Sequence, residues 1–268
     1  MDTLRILFLG DIVGKAGRRA CKLGVQDTRK NNNFDVVVAN VENAAGGLGL
    51  TREVFKELRS TGVQVMTSGN HIWAKSEGVE LLERQDSLLR PLNYPRSNPG
   101  RGWCEVRTAR GVRVAVVNLS GRVFMGGHYD CPFECVDTLL NKTLAELPEG
   151  PPPVILVDIH AEATSEKIAM GRYLDGRVSA VLGTHTHVQT ADERILEKGT
   201  GYVTDVGMNG PFDSIIGMNP ELALTRFLTQ IPQRYQQAKG VSQYNAACLE
   251  FDPVSGRCRA ISMIKNIF

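Results

Sequence analysis

Short runs of apolar, largely β-branched residues alternate with helix-like segments along most of this chain. The runs predict strands at residues 5–9, 35–41, 63–67, 112–119, 154–159, 178–182 and 201–206. Helical patterns fall at residues 17–30, 51–60, 75–85, 135–147, 165–173 and 221–229. Several strand runs are mostly apolar rather than alternating, which is typical of sheets covered on both faces. The early β-α-β-α-β order predicts a layered α/β fold, and the sparser helices between later strands, including 247–251 and 259–264, predict two packed, mixed sheets.

Length and charge exclude several classes of protein. A chain of 268 residues suits one large α/β domain or two small ones, and we expect one. The net charge of +2 comes from 31 basic and 29 acidic residues without a Lys/Arg block, which argues against sequence-specific nucleic-acid binding. A small phosphorylated ligand remains compatible, because it needs only local charge.

The N-terminal apolar run and the cysteines bear on the cellular compartment. The run at residues 5–9 is too short for a membrane span and lacks a basic leader, so we expect a cytoplasmic protein without membrane association. The six cysteines are scattered and form no Cys-x-x-Cys pair, which predicts free thiols rather than a cysteine–zinc site.

Metal-ligand residue types follow five of the predicted strands. They are Asp11, Glu42 with Asn43, Asn70 with His71, His160, and the pair His185 and His187. Open α/β sheets bind ligands at the carboxyl ends of their strands, so we expect these side chains to meet at one edge. Each taken alone has a plainer explanation as a turn, cap or surface residue, but together these explanations require five coincidences at one edge.

This donor set predicts a centre of two metals. Two carboxylates, amide oxygens and three imidazoles are too many ligands for one tetrahedral zinc. Oxygen and nitrogen donors without thiolate favour iron, manganese or zinc. Two such ions sharing a carboxylate can bridge a hydroxide and clamp phosphoryl oxygens. A phosphate ester is therefore the expected substrate class.

The glycine-rich segments match neither of the common nucleotide-binding motifs. Gly10-Asp11-Ile12-Val13-Gly14-Lys15 is one residue too short between its glycines for a phosphate loop, and Ala16 follows the lysine. Gly46-Gly47-Leu48-Gly49 lacks the dinucleotide fingerprint. We interpret these glycines as tight turns beside the metal site.

The strand-end residues, with the sequences around them, resemble the calcineurin-like metallophosphoesterases and, within them, the YmdB-like branch. The closer resemblance lies in residues 41–47, 90–94, 118–125 and 160–167, and the likeness runs from about residue 5 to 265. Val13 stands where the broad superfamily has histidine, and Glu42 where it has aspartate; both departures are features of this branch. The resemblance implies one metallophosphoesterase domain over residues 1–268, folded as a four-layer α/β/β/α sandwich of two mixed sheets.

The resemblance also implies a role for each site residue. Asp11, Asn43 and His187 would hold the first metal, Asn70, His160 and His185 the second, with Glu42 bridging. His71 would donate a proton to the leaving alkoxide. The implied activity is hydrolysis of cyclic nucleotides by a metal-bridging hydroxide, on 2′,3′-cyclic substrates first and 3′,5′-cyclic ones second. Iron is the favoured metal, with manganese and zinc as alternatives, and we expect a homo-oligomer.

Other functions stay open at this point. A mononuclear amidohydrolase also places His-x-His after a strand, but on its first barrel strand rather than two-thirds of the way along the chain. A general phosphoesterase of unknown substrate, or a metal- or nucleotide-binding regulator with little turnover, would keep the same ligands. Arg122 is either a second positive group for the substrate or an exposed loop residue, and residues 205–214 either wall the pocket or cap the sheet edge.

Overall fold

The computed structural model describes residues 3–150 and 152–268 and contains two mixed β-sheets with helices outside them. The strands are β1 Leu4–Leu9, β2 Asp11–Ile12, β3 Val36–Asn40, β4 Val65–Thr67, β5 Trp103–Arg107, β6 Arg113–Ser120, β7 Val154–His160, β8 Ala180–Thr184, β9 Arg194–Ile195, β10 Gly201–Val203, β11 Met208–Pro211, β12 Ser242–Phe251 and β13 Cys258–Ile267. The helices are α1 Gly14–Asn31, α2 Arg52–Ser60, α3 Ser76–Arg84, α4 Pro132–Thr138, α5 Thr164–Leu174 and α6 Pro220–Thr229. A 3-10 turn covers Ile72–Ala74, and a π-helical segment, Leu139–Leu144, continues α4.

The first sheet joins both ends of the chain. It runs β2-β11-β12-β1-β3-β4, with β13 on the other edge of β12. β1, β3 and β4 are parallel, whereas β12 pairs antiparallel with β1. The second sheet has the order β5-β6-β7-β8-β10-β9, in which the four central strands are parallel and the two edge strands antiparallel.

Alternation along the strands divides the interior into three apolar layers. Ile6 and Phe8 of β1 pack between the sheets, against β6, β7 and β8, whereas Leu7 and Leu9 face α1 and α2. The far face of the second sheet packs against α4 and α5. Successive side chains of a strand point to opposite faces, so wholly apolar strands require a covering layer on each side. The predicted four-layer α/β/β/α sandwich of two mixed sheets is confirmed.

Most predicted elements are present, with shifted ends. Thr51, the first residue of the predicted 51–60 helix, caps α2 by accepting a hydrogen bond from Val54 N (3.3 Å). Helix α5 is capped by Ala163 and begins at Thr164, one residue before the predicted range 165–173. Four strands were not predicted: β2, β5, β9 and β11. No helix among the described residues is long and apolar enough to cross a membrane.

Candidate metal centre

The carboxyl ends of strands from both sheets meet at one edge of the sandwich. Asp11 lies in β2 directly after β1, Glu42 and Asn43 follow β3, Asn70 and His71 follow β4, His160 ends β7, and His185 and His187 follow β8. Asn40 joins the sheets there, because its Nδ2 lies 3.3 Å from Asp158 Oδ2 and 3.3 Å from His160 Nδ1. The parallel direction of β1, β3, β4, β7 and β8 therefore brings the predicted residues together.

Glu42, His160 and His185 form the tightest group of donors. One potential ligand atom from each lies within 4.8 Å of the others. His160 Nε2 is 3.3 Å from Glu42 Oε1 and 3.0 Å from His185 Nδ1. Glu42 is 1% exposed and His160 fully buried. Three donors converging on a small volume are what a divalent metal requires.

Hydrogen bonds at Nδ1, the ring nitrogen that faces away from Glu42, set the orientation of His160. Its Nδ1 lies 2.9 Å from Thr184 Oγ1, and that hydroxyl donates to Asp158 Oδ1 (2.7 Å). Because Nδ1 is occupied by this buried network, Nε2 is the nitrogen that faces Glu42. Outer hydrogen bonds of this kind fix the orientation and tautomer of a metal-binding histidine.

Asp11, Asn43 and His187 form a second group of donors. His187 Nε2 is 3.8 Å from Asp11 Oδ1 and 3.4 Å from Asn43 Nδ2, and its Nδ1 donates to the carbonyl of Ile216 (2.9 Å). Asn43 turns its amide nitrogen toward Glu42 Oε1 (3.0 Å) and its oxygen toward His71 Nδ1 (2.8 Å). The two ends of a carboxamide have the same shape, so a half-turn presents Oδ1 to this group instead.

Left-handed backbone turns both histidines of the His-x-His pair inward. His185 has φ 95° and His187 has φ 67°, conformations that cost energy for residues other than glycine. Strand geometry would send the two side chains to opposite faces. Instead His185 joins His160 and Glu42, whereas His187 joins Asp11 and Asn43.

His71 lies at the mouth of the site. Its side chain is 39% exposed, its Nδ1 lies 3.3 Å from Glu42 Oε1, and its backbone N–H donates to Glu42 Oε2 (2.9 Å). The hydrogen bond to Glu42 raises the pKa of His71 above its ordinary value. A partly exposed imidazole that holds a proton near neutral pH can serve as a general acid.

Two buried oxygens test whether a metal fits here. Within the described part of the chain, Asp11 Oδ1 and Asn70 Oδ1 are buried and have no hydrogen-bond partner. Unpartnered buried oxygens are costly, and a bound cation removes that cost. With the oxygen and imidazole donors around them, these residues fit divalent metals well.

Burial and the close packing of charges shift the pKa values of the site. Burial raises the pKa of Asp11, against the effect of His187 and His160. Burial opposes ionisation of Glu42 too, but His160 and His71 hold its pKa well below the usual range. Burial lowers the pKa of His160, yet Glu42, with smaller effects of Asp11 and Asp158, more than reverses this and raises the pKa to about 9. These shifts describe a metal-free cluster in which protons stand where cations would bind.

Burial, followed by the charge of His160, lowers the pKa of His185 to about 3. Its imidazole is therefore neutral near pH 7, the form that binds a metal.

Several supporting residues were not singled out from the sequence. Asp158 interrupts the apolar run of β7, and an acidic residue in a buried strand is the signal that could have found it. Asp205, inside the segment predicted as a pocket wall or cap, is fully buried beneath Thr186. Arg122 is exposed, and its backbone N–H is held by Glu166 Oε1 (2.9 Å); its proposed contact with substrate stays a prediction.

Comparison with known proteins now identifies the family. The profile described as "YmdB-like protein" matches residues 7–264. This chain belongs to that family. It is 43% identical to the 2′,3′-cyclic-nucleotide 2′-phosphodiesterase of Bacillus subtilis over 97% of this chain and 96% of the relative. It also superposes on a crystal structure described as a novel phosphatase from Mycoplasma pneumoniae, with TM-score 0.92 and 33% identity over 100% of this chain and 94% of that one.

A more distant likeness concerns the fold alone. The 5′-nucleotidase of Candida albicans matches 98% of this chain over 50% of its own length, with TM-score 0.56 and 12% identity. The chain thus has the metallophosphoesterase fold. As a member of this YmdB-like family of phosphodiesterases and phosphatases, it is a phosphoesterase with a histidine–glutamate cluster suited to metal.

Proposed function

We propose that this YmdB-like protein is a dinuclear metal-dependent phosphodiesterase that hydrolyses cyclic nucleotides, 2′,3′-cyclic ones first and 3′,5′-cyclic ones second. One observation carries the proposal. Oxygen and imidazole donors from five strand ends converge at one edge, and two of their oxygens are buried without a partner among the described residues. The Bacillus subtilis relative, named for 2′,3′-cyclic nucleotides, supports the choice of substrate.

The donors divide into two groups that share one carboxylate. In this assignment Asp11, Asn43 and His187 would hold one metal, Asn70, His160 and His185 would hold the other, and Glu42 would be shared between them. Glu42 suits the shared position because its Oε1 lies 3.0 Å from Asn43 Nδ2 and 3.3 Å from His160 Nε2. Iron is the metal we favour, and manganese or zinc would accept the same ligands.

Bound metals would supply Lewis acidity toward the phosphoryl oxygens and lower the pKa of a water molecule toward neutrality. The chain itself positions the substrate's leaving group and provides its proton. Hydrolysis forms one bond from water oxygen to phosphorus and breaks one bond from phosphorus to a ribose oxygen, which must be protonated. His71 is the donor in this proposal, because its imidazole is partly exposed at the mouth of the site, next to the assigned metal ligands.

Glu42 orients that donor. Its Oε1 lies 3.3 Å from His71 Nδ1, and its Oε2 accepts a hydrogen bond from the backbone N–H of His71 (2.9 Å). With Nδ1 occupied on the inner side, Nε2 is the atom available to a leaving oxygen. His71 thus acts next to the metal ligands without being one of them.

The test compares substrates with one protein preparation. Metal-loaded enzyme should hydrolyse 2′,3′-cyclic nucleotides faster than 3′,5′-cyclic ones, and both faster than a phosphomonoester, by product chromatography. Metal-loaded protein that cleaves neither cyclic nucleotide, nor bis(p-nitrophenyl) phosphate, would contradict the proposal and favour a regulatory role. Cleavage of bis(p-nitrophenyl) phosphate alone would mean that the protein is a phosphodiesterase whose substrate is not a cyclic nucleotide.

The proposal includes assembly into a homo-oligomer. Leu224, Phe227 and Leu228 of α6 are 52%, 70% and 83% exposed, and apolar side chains grouped on one helix support self-association. Light scattering coupled to gel filtration should give a mass above the 29.4 kDa of one chain. A monomer at micromolar concentration would contradict this part of the proposal.

A further inference from the structure

A buried carboxylate holds the middle residue of the His-x-His pair. Asp205 is fully buried, and its Oδ2 accepts hydrogen bonds from Thr186 N (3.1 Å) and Thr186 Oγ1 (2.6 Å). Its Oδ1 accepts from Gly207 N (2.7 Å). Thr186 stands between two residues with left-handed backbone, His185 and His187, so fixing it fixes the direction of both imidazoles.

The counter-charge comes from a helix on the far side of this loop. Lys167 of α5 is fully buried, and its Nζ donates to Asp205 Oδ2 (2.7 Å). Gly183 makes room for it, since a Cβ at that position would lie 2.9 Å from Lys167 Cδ and 1.7 Å from Thr204 O. A buried ion pair of this kind gains little stability, because desolvating both charges offsets their attraction. A gain in stability therefore does not explain why Lys167 and Asp205 are buried together beside the His-x-His pair.

The hydrogen bonds around Asp205 close a circuit through the metal centre. Gly207 O accepts from Asp11 N (3.0 Å), and Asp11 Oδ2 accepts from His185 N (3.0 Å). The circuit passes from Asp205 through Thr186 and His185 to Asp11, and returns through Gly207. Every member is fixed by at least two neighbours. Strained backbone persists only where the surroundings determine it in this way.

We propose that Lys167 and Asp205 are positioning residues, which hold Thr186 so that His185 and His187 face two different metal positions. The inference rests on the metal centre of the proposed function, but it concerns metal affinity rather than choice of substrate. It also gives a role to Lys167, the last residue of the 160–167 segment that carries part of the family resemblance.

The test is calorimetric titration of metal-free protein with Mn²⁺. Asp205→Asn and Lys167→Met should each weaken Mn²⁺ binding by roughly 10–100-fold, the usual effect of removing an outer partner of a metal ligand. Thr186→Val, which removes the 2.6 Å hydroxyl contact and leaves the ion pair, should also weaken Mn²⁺ binding. Thr186→Ser keeps the hydroxyl and should bind Mn²⁺ as the unmodified protein does. In metal-free Asp205→Asn and Lys167→Met, hydrogen exchange at the backbone amide of Thr186 should be faster than in the unmodified protein.

Arg113→Met is the matched control. Arg113 is 8% exposed and pairs with Glu105 (2.7 Å) in the β5–β6 hairpin, so its loss removes a largely buried ion pair outside the metal centre. This control should bind Mn²⁺ as the unmodified protein does. Wild-type affinity in folded Asp205→Asn, or an equal loss in Arg113→Met, would overturn the proposal. If Asp205→Asn does not fold, Thr186→Val decides.

The two proposals fail separately. If the unmodified protein binds two Mn²⁺ ions but cleaves no cyclic nucleotide, the proposed substrate is wrong. The positioning role is then still tested by the Mn²⁺ affinities of the variants. If the unmodified protein hydrolyses cyclic nucleotides but Asp205→Asn and Thr186→Val bind Mn²⁺ with unchanged affinity, the proposed function stands and the positioning role is wrong.

Discussion

Gly69 lies where a single added methyl group should disable the metal centre. A Cβ built there would be 2.1 Å from Nε2 and Cδ2 of His160 and 2.5 Å from Glu42 Oε2. Ordinary contact begins near 3.4 Å, so in Gly69→Ala the imidazole must retreat by about 1.3 Å. His160 cannot do so freely, because it is fully buried and its Nδ1 is held by Thr184 Oγ1 (2.9 Å).

The size of the effect follows from this geometry. Forcing a methyl group into a packed interior costs about 1–3 kcal/mol. For a chain of this size each kcal/mol lowers the melting temperature by roughly 2–4 °C. A displacement of about 1 Å at a reacting centre costs about 100-fold in rate. We therefore expect Gly69→Ala to fold, to melt a few degrees earlier, and to lose most of its metal affinity and at least about 100-fold in turnover.

The assay pairs a thermal melt with metal analysis and initial rates on a 2′,3′-cyclic nucleotide. Gly171→Ala is the control, because its Cβ would lie 2.4 Å from Tyr202 Cδ2, in the layer between α5 and the second sheet. It should lose similar stability yet keep its metals. If Gly69→Ala bound two metals with unchanged affinity and turned over normally, the placement of His160 and Glu42 in the metal centre would be wrong.

Further perturbations test individual roles. Glu42→Gln should lose metal, activity or both, and unchanged turnover with full metal content would contradict its bridging role. His71→Ala should keep both metals and lower kcat by about 10²–10⁴-fold, with less loss on a p-nitrophenyl ester, whose leaving group needs no proton; loss of metal would instead make His71 a ligand. Chelation should abolish activity and Mn²⁺ should restore it; activity that survives full removal of metal would refute metal dependence. Thr51→Ala should cost about 1 kcal/mol by removing the cap of α2 and leave kinetics unchanged, as a urea melt and a rate assay would show.

The sequence predicts much of this fold because burial on both faces leaves a visible trace. Strands such as β1, β3 and β7 are mostly apolar along their length, so they could be predicted from composition and length. β5 was missed because Trp103–Arg107 is an edge strand whose charged residues alternate with apolar ones. β2 and β9, each of two residues, exist through pairing with distant strands rather than through local preference.

The candidate site could likewise be predicted only in part. Its donors could be predicted, because residue types that bind metal followed five strands in a fold whose strand ends converge. The supporting contacts could not, because they depend on packing between remote segments. Lys167 and Asp205 lie 38 residues apart, and Asn40 and Asp158 lie 118 apart in different sheets. No periodicity in the sequence brings such pairs together.

The number of metal ions that one chain binds decides whether the centre is dinuclear. Protein isolated without added metal, then stripped and titrated with Mn²⁺, should reach two ions per chain by elemental analysis and calorimetry. Glu42→Gln, which alters the carboxylate assigned to both ions, should bind fewer or weaker at both positions. Saturation of the unmodified protein at one ion per chain, or at none, would contradict a dinuclear centre built from these strand ends.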